Sequence, residues 1–62
     1  MTIPNYSQVK LLSDRYLSEG VKAGAIGYII EVYLDGYEVE FSDNDGTTIA
    51  LLALTSNEFF VI

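Results

Sequence analysis

Apolar and polar positions alternate most cleanly through Tyr37-Glu38-Val39-Glu40-Phe41. A period of two places Tyr37, Val39 and Phe41 on one face of a strand and Glu38 and Glu40 on the other. Just upstream, Ile26-Gly-Tyr-Ile-Ile-Glu-Val-Tyr33 is almost continuously apolar. That is the pattern of a strand covered on both sides as it curls. Val9 and Leu11 alternate within residues 8–12 and mark a first strand. Residues 47–54 read as a fourth, with Ile49 and Leu51 facing inward, and residues 59–62 close the chain as a brief fifth strand.

The connections have their own chemistry. Pro4 and Asn5 discourage regular structure in a lead-in segment, residues 1–7. Residues 13–23 read as a long loop rather than a helix, because Gly20 would cut a helix off; Leu17 and Val21 anchor this loop to the core. Gly24 and Gly27 fall where a strand bends sharply or another backbone approaches closely. Leu34-Asp35-Gly36 predicts a tight hairpin that uses the positive φ angles Asp-Gly tolerates. Ser42-Asp43-Asn44-Asp45-Gly46 predicts a second hairpin turn. Thr55-Ser56-Asn57-Glu58 has the spacing of a capping box and predicts a single helical turn before the last strand.

These elements predict an all-β domain: an SH3-like barrel of five short strands with one short helical turn before the last strand. A five-stranded open meander is the alternative. Closure of the barrel is expected to remove most exposed edges. Sixty-two residues allow one domain, residues 1–62, with the barrel over residues 8–62. A chain this short buries only about 60% of its unfolded surface, and it has no cysteine for disulfides or thiolate-bound zinc.

The residues Gly24-x-x-Gly27-x-Ile29-x-x-Val32, Glu31-Val32-Tyr33-x-Asp35-Gly36-Tyr37-Glu38-Val39-Glu40-Phe41, Asp45-Gly46, Thr48-Ile49-Ala50-Leu51-Leu52 and Leu54-Thr55-x-x-Glu58 occur together. With them the chain resembles a bacterial family of very small proteins catalogued only as a domain of unknown function. The resemblance covers roughly residues 8–62. The glycine-and-valine corner alone is also similar to the KOW-type ribosomal barrels and to the small stromal-side barrel subunit of photosystem I. These resemblances imply an SH3-like fold and transfer no catalytic or ligand residues. The chain departs from the family pattern at its end. Members place a polar residue and a proline after a Glu-Leu pair, where this chain has Glu58-Phe59-Phe60-Val61-Ile62. With Phe59 inward, Phe60 points outward as a candidate contact residue.

Nine acidic residues against three basic ones give a net charge of −6. Such a surface repels phosphate backbones and anionic membranes, so neither nucleic acid nor a membrane is an expected partner. It suits a basic protein partner, or solubility alone. No secretory leader and no membrane-length apolar run is legible, which makes a cytoplasmic location the expectation. Histidine and cysteine are absent, removing the commonest general base and most transition-metal ligands. Ser7, Ser13 and Ser18 lie in plain turn contexts, so no catalytic, cofactor or metal site is expected. Asp43-Asn44-Asp45-Gly46 resembles a fragment of a calcium loop but lacks its alternating ligands and distal glutamate. It reads as a turn whose side chains satisfy local backbone groups.

What remains is binding. Glu38 and Glu40 share a strand face and Glu31 approaches from the neighbouring strand. This is a negative patch for a basic partner, or simply the solvated side of a sheet. Tyr28 and Tyr37 read as core or cross-strand packing; Tyr6, Tyr16 and Tyr33 fall in or beside loops, where aromatics anchor interfaces. SH3 domains grip proline-rich segments with such loop tyrosines. The expectation is a non-enzymatic, acidic protein-interaction module docking on a larger protein through Tyr16, Tyr33, Glu31, Glu38, Glu40 and Phe60. An antitoxin or immunity-type inhibitor covering a basic site is the alternative. A homodimer through the apolar terminal strand is a further expectation.

Overall fold

The computed structural model describes residues 5–62; Pro4 and the first part of the lead-in lie outside them. Among the described residues the chain forms β1 (Gln8–Leu11), β2 (Ile26–Tyr33), β3 (Gly36–Ser42), β4 (Thr48–Leu54) and β5 (Phe59–Val61). Two 3₁₀ turns complete it, Leu17–Glu19 in the first loop and Ser56–Glu58 before β5. The strands make one antiparallel sheet in the order β4-β3-β2-β1-β5. The sheet curls, because Tyr37 on β3 and Phe59 on β5 meet edge to face at 5.5 Å although β2 and β1 lie between their strands.

The fold class and the helical turn before the last strand agree with the sequence reading. In that turn the Glu58 carboxylate accepts the Thr55 N–H at 2.9 Å, half of a complete capping box. Closure differs from the expectation. β4 and β5 have no ladder between them, so each keeps a backbone edge, although Leu54 and Phe59 share the apolar core.

The core is Val9, Leu11, Val21, Ile29, Val39, Phe41, Leu52, Leu54 and Phe59, with no buried polar side chain among the described residues. Gly27 lets this core close. A Cβ there would stand 2.8 Å from both the Glu40 carbonyl and the Phe41 ring, so only glycine admits that ring. Gly24 bends the chain ahead of β2 with φ of +93°.

Four expectations are corrected. Ile49 and Leu51 do not face inward; they are exposed at 45% and 54%, and Ala50, Leu52 and Leu54 take the inner positions. The pairing decides this: Val39 stands opposite Leu52 and Tyr37 opposite Leu54, so the inner face of β3 fixes that of β4. Leu17 is exposed; Val21 is buried in the core and Tyr16 packs against it, so these two anchor the first loop. β2 is not covered on both sides, since Ile26 and Tyr28 are exposed beside buried Gly27 and Ile29. The hairpin loop Leu34-Asp35 uses no positive φ, and neither does Gly36. Gly36 is instead a strand residue where a Cβ would sit 2.9 Å from the Leu54 carbonyl.

A β-bulge in β2 sets up the surface. Ile29 pairs with Val39 and Glu31 with Glu38, leaving Ile30 as the extra residue. Without it Glu31 would share the inner face of Ile29. With it, Glu31 turns outward and Val32 packs against the core.

Candidate partner-binding surface

Cross-strand pairing lays the outward residues of β2, β3 and β4 in rows. One row is Glu31, Glu38, Ala53 and the next is Tyr28, Glu40, Leu51. Opposed residues of an antiparallel pair stand about 4.5–5.5 Å apart at Cβ, so these side chains form one continuous face. Ile26, Tyr28, Ile49 and Leu51 are exposed apolar groups, and the three glutamates supply its charge.

Local bonds orient the carboxylates. The Tyr33 hydroxyl donates to Glu38 Oε1 at 3.3 Å, and the Thr48 hydroxyl donates to Glu40 Oε2 at 2.5 Å. Partial desolvation, then the negative charge of Glu38, hold the Tyr33 phenol above its ordinary pKa. The phenol therefore stays a neutral donor beside the acidic row.

Two other predicted contact residues lie apart. Tyr16 is half-buried in the first loop, its hydroxyl donating to Glu58 Oε2 at 2.5 Å. Arg15 joins them, 3.3 Å from the same oxygen and 5.7 Å from the centre of the Tyr16 ring. The Tyr16 hydrogen bond, then the Thr55 N–H, hold the Glu58 carboxyl below its ordinary range; the same bond raises the Tyr16 phenol. This constellation pins the first loop to the turn before β5. Phe60 is exposed on β5 opposite Lys10, with β1 between it and the glutamates of β2 and β3. Thus Tyr33, Glu31, Glu38 and Glu40 are brought together, and Tyr16 and Phe60 are not.

The sequence reading missed Tyr28, Ile49 and Leu51 as surface residues. The available signal was the alternation of β3, which fixes its neighbours once the register is known. An open groove of about 520 Å³ adjoins this face, lined by Leu17, Val21, Ile26, Phe41 and Ile49 with Lys22.

The Asp43 carboxylate accepts the N–H groups of Asp45 at 2.9 Å and Thr47 at 3.0 Å, which makes it a turn-stabilising group. Among the described residues no cluster of His, Cys, Asp or Glu is placed to hold a metal ion. No helix there is long and apolar enough to cross a membrane.

The fold and this face define a very small all-β domain with an exposed acidic and apolar sheet surface. Residues 6–61 match the family described as Domain of unknown function (DUF4926), and the chain belongs to it. Comparison with curated proteins and with solved structures finds no match to the chain.

Proposed function

We propose that this protein is a non-enzymatic interaction module of SH3-like type that docks on a larger, basic protein in the cytoplasm. The observation that supports this reading is the outer face of β2, β3 and β4, where Tyr28 and Leu51 stand exposed among Glu31, Glu38 and Glu40. Apolar groups supply contact area, and the carboxylates steer and select a cationic partner. An inhibitor that covers a basic active site is the narrower form of the same reading, favoured by the Glu31–Glu38 pair in direct opposition. Like charges opposed in this way cost stability, and a cationic partner relieves that cost.

Affinity capture from native lysate tests the proposal. The wild-type chain is expected to retain one partner stoichiometrically, and the Glu31→Gln/Glu38→Gln/Glu40→Gln variant to lose it. Equal retention by both, or no stoichiometric partner, contradicts the reading. A toxin-like reading frame beside this gene would favour the inhibitor form.

A further inference from the structure

β4 ends the sheet, and among the described residues its ladder is with β3 alone. Backbone bonding shows which groups its free edge presents. The Ile29 N–H donates to the Ser7 carbonyl at 3.0 Å, and the Ile29 carbonyl accepts the Tyr6 N–H at 2.5 Å, so Ile29 bonds toward the β1 side. Alternation along antiparallel ladders then turns Glu40 toward Tyr28 and Val39 toward Leu52. The N–H and C=O groups of Leu51 and Ala53 therefore point out of the sheet, and no described backbone or side-chain group bonds them there.

Proteins ordinarily guard such an edge with lysine, proline or a covering segment. The β4 sequence, Thr48-Ile-Ala-Leu-Leu-Ala-Leu54, holds neither charge nor proline. The first loop meets the strand at its start, where an Ile49 methyl lies 3.2 Å from a Cβ placed on Gly20. A strand added beside β4 would lengthen each outer row by one residue. Its side chain opposite Leu51 meets an exposed leucine. Opposite Ala53 it meets only a methyl group, beyond which stand Glu38 and then Glu31.

We infer that the β4 edge binds an extended basic segment of a partner protein by antiparallel strand addition. An Arg or Lys lies opposite Ala53, reaching over it to Glu38, and an apolar residue two positions later lies opposite Leu51. Main-chain bonds to Leu51 and Ala53 supply affinity, and the row of unequal side chains supplies selectivity. A second copy of β4 does not fit this chemistry, because that strand has no basic residue. The inference rests on the acidic-face reading above and specifies how the partner engages it.

The test uses the isotopically labelled full chain and a blocked heptapeptide, Ser-Thr-Arg-Thr-Val-Thr-Ser, with a counterpart bearing Glu in place of Arg. At peptide concentrations of about 1 mM, the Leu51 and Ala53 amides are expected to shift saturably and gain exchange protection. The Glu counterpart is expected not to bind. Glu38→Gln should weaken the Arg peptide about threefold, the size of an exposed ion pair. Absence of shifts at Leu51 and Ala53, or equal binding of both peptides, overturns the inference. So does protection of these amides in the free protein that rises with its own concentration, which would mean a second copy on the edge. A native partner that depends on the glutamates but leaves the β4 amides untouched overturns this inference alone and leaves the proposed function standing.

Discussion

Replacing Tyr16 by phenylalanine removes one hydroxyl and leaves the ring, the loop backbone and the Arg15 contact in place. The lost bond is the 2.5 Å donation to Glu58 Oε2, whose side chain is 14% exposed. A hydrogen bond to a charged acceptor contributes about 1.5–3 kcal/mol. Glu58 keeps the Thr55 N–H at 2.9 Å, so its charge is not stranded, and the expected loss is about 1.5 kcal/mol. The Arg15 pair changes this little, since the Arg15 side chain is 74% exposed and such pairs contribute about 0–1 kcal/mol. For a domain of this size the loss lowers Tm by roughly 6–12 °C. It should also depend on pH. Folded Glu58 holds its proton less tightly than the unfolded chain does, so its contribution is complete above the ordinary carboxyl value of 4.5 and fades as pH falls through the lowered one. Folded Tyr16 holds its proton more tightly, so the contribution fades again as pH rises above 10.0. Urea unfolding of both proteins at pH 3, 7 and 11 reads the difference. A loss that is the same at pH 3 and pH 7, or below about 0.3 kcal/mol at pH 7, would mean that the Tyr16–Glu58 bond does not stabilise the fold.

The inward position of Leu52 and the outward one of Leu51 predict opposite fates for neighbouring substitutions: Leu52→Ala should cost about 2–4 kcal/mol and Leu51→Ala under about 0.5 kcal/mol by urea denaturation. Equal costs would mean that the register of β4 is wrong. Gly27→Ala should cost about 1–3 kcal/mol, because its methyl needs the space of the Phe41 ring and the Glu40 carbonyl; an unchanged unfolding midpoint would contradict that packing. Phe60→Ser, on the exposed face of β5, should leave stability within about 0.5 kcal/mol.

The parts of the fold legible in the sequence are those where one local rule decides. The alternation Tyr37-Glu38-Val39-Glu40-Phe41 names its own inner face, and Thr55 with Glu58 names its own turn. β4 is apolar on both faces, so alternation says nothing about it, and only its pairing with β3 places Leu52 inside. β2 is apolar through Ile30, which hides the bulge that turns Glu31 outward. The same ambiguity governs the candidate surface. Glu31, Glu38 and Glu40 were legible because charge on a strand face points to solvent, and Tyr33 because it borders a turn. Tyr28 and Leu51 were not, because an apolar residue reads as core until its register is known. Tyr16 reads as a loop aromatic available for contact, since nothing local reveals a bond to Glu58, 42 residues away.

Docking of a partner on the outer face of β2, β3 and β4 can be read residue by residue by amide NMR of the labelled protein in native lysate. Broadening is expected to concentrate at Tyr28, Glu31, Glu38, Glu40 and Leu51 and to be relieved by added salt, as for a charge-steered contact. Broadening centred on Phe60 and β5, or on Tyr16 and its loop, would contradict it.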